Sequence, residues 1–259
     1  MKKLLILLVS FIILTLSGCT YTNSKDFENL ENNPSVSLPL PPSEEDDEQR
    51  KKTYILSNAN GIRIRSGAGT NYSVLGSIEK NDMLSYQGIE GNYYITVYKE
   101  KKAYIHKDYC SLVGFELSSD KIEKAIEFGT KLLGYPYVWG SERYHWGNGK
   151  LNKNFVNGEF DCSALVQYIY YITNNVLLDV TSRAQSLEGK LVKDGDLKRG
   201  DLMFFTNASR KNKVGIEKVG HVGIYFGNNY ILHTASDYAV IEPITSTRWS
   251  YYLHSRRVV

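Results

Sequence analysis

The spacing of apolar and polar residues divides the chain into stretches of different period. From Thr53 to Val113 the apolar positions fall in short runs of period two. Ile62-Arg63-Ile64-Arg65 alternates strictly, the turn residues Ser66 to Asn71 follow, and Val74 to Ile78, Met83 to Tyr86, Tyr93 to Tyr98 and Ala103 to Ile105 come after them. About five short strands within about sixty residues predict a small closed or nearly closed β-barrel. At Ser118 the period lengthens. Ile122, Ala125, Ile126, Gly129 and Leu133 mark one helical face, Asp120 with Glu123 predicts a capping box, and Gly134 ends the helix. Leu165, Val166, Ile169 and Ile172 mark a second helix, with Asp161 as N-cap and Cys162 as its first residue. A polar turn or short helix start covers Thr181 to Gln185. Strands then return at Leu202 to Phe205 and, beyond a basic loop from Asn207 to Lys218, in a predicted hairpin. Its arms, Gly220 to Phe226 and Tyr230 to Ala235, are joined by Gly227-Asn228-Asn229; Val240-Ile241 and Leu253 to Val259 follow. Helices first and antiparallel strands afterwards make an α+β layout.

The N-terminus changes the picture of where this chain works. Lys2 and Lys3 precede an apolar run, Leu4 to Leu16, too short to span a bilayer comfortably and shaped like a secretory signal. It ends in Leu16-Ser17-Gly18-Cys19, which resembles the lipobox of bacterial lipoproteins; cleavage there leaves Cys19 as a lipid-modified N-terminus, with an ordinary signal peptide as the alternative. Residues Thr20 to Lys52 hold four of the six prolines and the acidic run Glu44 to Glu48, the composition of a disordered tether. Extended, it reaches roughly 100 Å at about 3.3 Å per residue. The expected division is therefore 1–19 signal, 20–52 tether, 53–113 strand-rich domain and 118–259 α+β domain. A net charge of +3 and the lack of any long basic block exclude nucleic acid as an expected partner. Three cysteines are too few for a disulfide scaffold.

Candidate chemistry centres on Cys162. A thiol at a helix start meets unpaired backbone N–H groups and the positive end of the dipole, which predicts a lowered pKa. The hairpin supplies the partner such a thiol needs. With a three-residue loop at Gly227-Asn228-Asn229, His221 and His233 are diagonal neighbours on one face, their backbones about 7–8 Å apart, whereas a two-residue loop puts them on opposite faces. A helix-start cysteine, a histidine base and a polar orienter form the sequence that nucleophilic catalysis requires. Zinc is the competing use of these three residues, but neither CxxC nor HxxxH spacing appears, and no cofactor is called for. Cys110, His106, His145 and His254 are expected to be structural.

Two resemblances follow from these residues. Gly61-Ile62-Arg63-Ile64-Arg65-Ser66-Gly67-Ala68-Gly69-Thr70-Asn71-Tyr72, with Ala103-Tyr104-Ile105-His106, resembles bacterial SH3-like domains, which commonly accompany cell-wall enzymes. Tyr137-Val138-Trp139-Gly140, Phe160-Asp161-Cys162-Ser163-Ala164-Leu165-Val166, Gly200-Asp201-Leu202-Met203-Phe204-Phe205, Gly220-His221-Val222-Gly223-Ile224-Tyr225 and Leu232-His233 occur in the order of the NlpC family of cell-wall cysteine peptidases. The resemblance implies a papain-like fold and cleavage of peptidoglycan stem peptides between γ-D-glutamate and the diamino acid. It makes Cys162 the nucleophile, His221 the base and His233 the orienter. It puts Tyr137 beside the cleft, with Asp161 and Ser163 near the substrate's amino end. Ser141 stands where the family has a second glycine, Ala164 replaces another, and the segment 141–158 is a long insertion. The expected protein is a monomer, lipid-anchored to the membrane and facing the wall. A catalytically idle wall-binding lipoprotein and an amidase or acyltransferase on the same fold remain as alternatives.

Overall fold

The structure, a computed structural model, describes residues 50–193, 195–234 and 237–259; the expected signal segment, Cys19 and nearly all of the tether lie outside them. Eight strands come first: β1 (Lys51–Ser57), β2 (Ile62–Arg65), β3 (Val74–Ile78), β4 (Met83–Ser85), β5 (Gly88–Glu90), β6 (Tyr93–Tyr98), β7 (Lys101–His106) and β8 (Cys110–Glu116). They form two sheets, ordered β4-β1-β8 and β3-β2-β7-β6-β5, and do not close into the expected barrel. Lys51 and Lys52, expected in the tether, already pair with Glu116 and Phe115 of β8, because the β1–β8 ladder extends to both ends.

The second half contains α1 (Asp120–Lys131), α2 (Cys162–Asn174), the short α3 (Ser182–Gln185), β9 (Lys190–Val192), β10 (Leu202–Phe205), β11 (His221–Gly227), β12 (Tyr230–Thr234), β13 (Ala239–Pro243), α4 (Ser246–Ser250) and β14 (Tyr252–Arg257). One six-stranded antiparallel sheet, β13-β12-β11-β10-β14-β9, carries α1 and α2 against it, a mixed fold of sheets and few helices. At α1 the expected capping box does not form. Ser119 is the N-cap and makes no side-chain cap, while Glu123 accepts from Ser118 N at 2.9 Å and turns its carboxylate to Arg199. On α2 the buried surface is not one face: every residue from Cys162 to Tyr170 is buried, and Ile172, expected inside, is 42% exposed.

The two halves share one apolar core, in which Tyr54, Ile105 and Phe115 pack with Ile126, Phe160 and Phe226. At the seam, the β6–β7 turn caps α1. Lys99 N donates to Leu133 O at 3.0 Å and Glu100 N to Lys131 O at 2.8 Å, satisfying carbonyls that a helix end leaves open. Gly134, at φ +86, lies where a Cβ would meet the Tyr98 ring at 2.1 Å, so glycine is required twice over.

Arg199 crosses the same seam. Its guanidinium donates to Glu123 at 2.8 and 3.1 Å and to the Tyr54 hydroxyl at 2.7 Å, and lies 4.3 Å from the Phe226 ring centre. Removing one partner of a buried ion pair leaves the other uncompensated, at a cost of about 3–5 kcal/mol. Arg199→Ala should lower unfolding free energy by that amount in urea denaturation, and Arg199→Met with Glu123→Leu should recover most of it. A single-variant loss below about 1 kcal/mol, the range of an exposed pair, contradicts this account.

Candidate active site

The N-terminus of α2 sets the position of Cys162. Asp161 Oδ1 accepts from Ala164 N at 2.9 Å and from the Ser163 hydroxyl at 3.0 Å, which is side-chain N-capping. Asp161 N donates to the Ser141 hydroxyl at 2.8 Å, so the residue that departs from the family pattern holds the cap. Asp161 Oδ2 accepts from Arg143 at 2.8 Å, and Arg143 also donates to Ser163 Oγ at 3.2 Å and to Val180 O at 2.6 Å. The Cys162 thiol is buried, with the N–H groups of Ser163 and Val222 directed at it. Val222 directly follows His221, which brings the thiol to the start of β11.

The hairpin solves the register differently from the expectation. Asn228 and Asn229, both at positive φ, make a two-residue turn, and Gly227 pairs with Tyr230. A bulge between Tyr225 and Gly227 then shifts the ladder, so Tyr225 faces Ile231 and Ile224 faces Leu232. The bulge restores what a two-residue loop alone destroys, and both histidines share a face. Gly223 makes room: a Cβ there would come 2.9 Å from the His233 Cβ.

The two rings meet, and a carboxylate closes the chain. His221 Nε2 and His233 Nδ1 are 2.8 Å apart, and His233 Nε2 is 2.9 Å from Glu242 Oε1. Arg248 donates to the same oxygen at 2.6 Å. An ionised carboxylate only accepts, so His233 Nε2 carries hydrogen and donates to Glu242. His233 Nδ1 is then bare and accepts from His221 Nε2. His221 Nδ1 is left unprotonated, with no hydrogen-bond partner among the described residues. Glu242 thus selects the tautomer in which His221 is a base.

Electrostatics qualify the expectation for the thiol. Burial, together with the Asp161 charge, pushes the Cys162 thiol up to about 11, against the pull of the Val222 and Ser163 N–H groups and Arg143. Helix-start donors are present as expected, but desolvation of the thiolate outweighs them. Burial also drives the His221 imidazole well below its usual 6.5, helped by the charges of His233 and Arg248. His233 is lowered chiefly by burial, with the Glu242 bond opposing it. Burial raises the Glu242 carboxyl, but its contacts with His233 and Arg248 win and hold it below the usual range. The resting pair is therefore neutral thiol beside neutral imidazole. Alkylation by iodoacetamide should then be slow at pH 7 and climb towards pH 11, tracked at Cys162 by mass spectrometry. Fast labelling at pH 6, as a preformed thiolate–imidazolium pair gives, contradicts this.

Tyr137 stands at the same place. Burial pushes its phenol up, with the neighbouring Cys162 and the Asp161 charge adding to it, and it lines the cavity that opens beside His221. Cys110 is buried and unpaired, and burial pushes its thiol up to about 12. His145 is buried and accepts from Gly147 N at 3.0 Å, and His254 lies 3.1 Å from Ser186 O. Their ring contacts are with Tyr171 and Phe204. Sequence reasoning missed Glu242, Arg248, Arg143 and the hydroxyl of Ser141. Glu242 had a faint signal, one acid two places past Val240 on a predicted strand. Val240 pairs with His233 and Glu242 with Ile231, so the acid is the diagonal neighbour of His233.

Residues 134–258 match the NlpC/P60 family model. The chain is 31% identical over 147 residues to the peptidoglycan DL-endopeptidase CwlO of Bacillus licheniformis, covering 55% of this chain and 29% of that protein. It is 31% identical over 130 residues to the gamma-D-glutamyl-L-lysine dipeptidyl-peptidase of Bacillus subtilis, covering 50% of this chain and 37% of that one. Both matches span well under two thirds of the relative's length. The crystal structure of an NlpC/P60 family protein from Bacillus cereus aligns over 83% of this chain and 66% of that one, at 21% identity and a TM-score of 0.42. The chain carries an NlpC/P60 family domain.

Proposed function

We propose that this protein is a cysteine endopeptidase that cuts peptidoglycan stem peptides at the γ-D-glutamyl–diamino acid bond. The observation that carries the reading is the chain Glu242–His233–His221 on a strand whose next residue, Val222, turns its N–H to the helix-start thiol of Cys162. The names of the relatives, a DL-endopeptidase and a γ-D-glutamyl-L-lysine peptidase, supply the substrate class.

In this reading His221 Nδ1 takes the Cys162 proton as sulfur attacks the amide carbonyl. Backbone N–H groups at the start of α2 meet the oxyanion. The imidazolium is stabilised through His233 by Glu242, then protonates the leaving amine. Water, deprotonated by the same nitrogen, releases the acyl group and regenerates the thiol. Because burial depresses His221, the base form persists below pH 6.5. The acid limb of kcat/KM should accordingly lie below that pH.

Asp161 and Ser163 take a supporting part. Asp161 is 6% exposed, and its two oxygens serve Ala164, Ser163 and Arg143. Arg143 already supplies the countercharge, which leaves no carboxylate free for a substrate ammonium. Peptides with free and N-acetylated L-alanine should therefore show similar kcat/KM, a strong preference for the free amine being the contrary result. The strand-rich block is read as an SH3-like wall-binding module, and the Cys19 segment as a lipid anchor that holds the enzyme at the membrane.

The principal test is mass spectrometry of peptidoglycan digested with protein lacking residues 1–19. Cleavage at the γ-D-glutamyl bond, lost in Cys162→Ala, supports the reading, and an intact wall refutes it. Glu242→Gln should lower kcat by about 10- to 100-fold, the range known for outer partners of metal-bound histidines. KM should change little, and the acid limb should move to still lower pH as the imidazolium loses its stabilising charge. A purely structural Glu242 lowers the melting temperature and leaves the pH profile in place.

A further inference from the structure

Beside His221 opens a cavity of about 510 Å³ lined by both polar and apolar residues and holding a single charge, the Arg248 guanidinium. Arg248 is bonded through one nitrogen to Glu242, and its other two have no partner among the described residues. Thr206 and Thr234 line the same cavity. They are 7% and 1% exposed, and the hydroxyl oxygen of each is buried without a hydrogen-bond partner. Burying an unpaired hydroxyl costs about 1–3 kcal/mol, so two of them on one wall mark donors held for something else. No Asp or Glu is among the described residues that line the cavity. The loop between its lining residues Asn207 and Gly220 carries Arg210, Lys211, Lys213 and Lys218 against Glu217, with which Arg210 is paired at 2.9 Å. Charge and donors both call for an anion of small, branched shape.

We propose that this cavity is a subsite for a free carboxylate of the substrate. Arg248 provides the countercharge and Thr206 and Thr234 the hydroxyl donors. The inference rests on the peptidase reading for its substrate class. A γ-linked glutamate keeps its α-carboxylate, and the stem peptide ends in another, so two sources share the chemistry. Arg248 then has two parts, touching the substrate with its free nitrogens and holding Glu242 with the third.

The test measures binding, not turnover, so it stays separate from the peptidase reading. Calorimetry of the Cys162→Ala protein would use L-Ala-γ-D-Glu-L-Lys-D-Ala, its D-glutamyl α-amide and its C-terminal amide. Replacing the bound carboxylate by a carboxamide should weaken binding about tenfold or more, since charge-assisted bonds are lost. The amide that binds weakly identifies which carboxylate is held. In Arg248→Gln, added to the same background, the difference between acid and amide should vanish. Arg248→Gln also disturbs Glu242, so Thr206→Val, whose hydroxyl bonds neither Glu242 nor His233, is the second variant. It should shrink the acid–amide difference at least severalfold while leaving the melting temperature level or higher, because an orphaned hydroxyl has gone. Equal binding of all three peptides, no binding of any, or an amide penalty unchanged in both variants overturns the proposal.

Discussion

Arg199 ties the molecule together. It lies just ahead of β10, with 9% of its surface exposed, where a lone guanidinium would be prohibitively costly. Every direction offers compensation: the Glu123 carboxylate from α1, the Tyr54 hydroxyl from β1, the Phe226 carbonyl from β11, and the Phe226 ring beneath it. Three segments far apart in sequence are thereby fixed to one planar group. Two residues on, Asp201 is bound by Arg257 of β14 at 2.8 Å through both its oxygens, which pins the other side of the same strand. β10 is thus set between β11 and β14, and β11 carries His221. The site geometry is held from a charge that takes no part in it.

The site applies the same logic with opposite signs. Glu242 accepts from both His233 and Arg248 through one oxygen, so its negative charge is answered by a cation without His233 having to be protonated. Such an arrangement keeps both imidazoles neutral and fixes their tautomers. Were Glu242 absent, His233 would be free to take either tautomer, and in one of them His221 presents a protonated Nδ1 to the thiol. The carboxylate acts two residues away from the sulfur by removing that choice.

The sequence was most informative where one residue type has one use. The α2 start, the Asp161 cap and the shared face of His221 and His233 follow from spacing and side-chain chemistry. Features that depend on tertiary neighbours were not legible. The barrel failed because strand count does not reveal how eight strands divide between sheets. The capping box at Glu123 failed because Arg199, 76 residues later, is a stronger partner than the helix terminus. The hairpin face was right although the loop was wrong: a two-residue turn and one bulge equal a three-residue loop in register. The thiol pKa was misjudged because local donors can be counted in a sequence, whereas burial cannot.

The insertion, the segment with the least evident purpose in the sequence, packs along α2 and reaches its N-terminal cap. Tyr144 packs on Tyr168 and Tyr171 at 5.1 and 5.5 Å, and His145 on Tyr171 at 4.7 Å, so the insertion covers the outer face of α2. Arg143 leaves the same segment to neutralise Asp161. The insertion therefore answers the Asp161 charge next to the thiol and withdraws that anion from the cleft. Burial of the thiol disfavours the thiolate and so makes a correctly oriented base indispensable, which is what Glu242 and His233 provide. With Asp161 paired, Arg248 is left as the charged side chain beside His221 with nitrogens to spare.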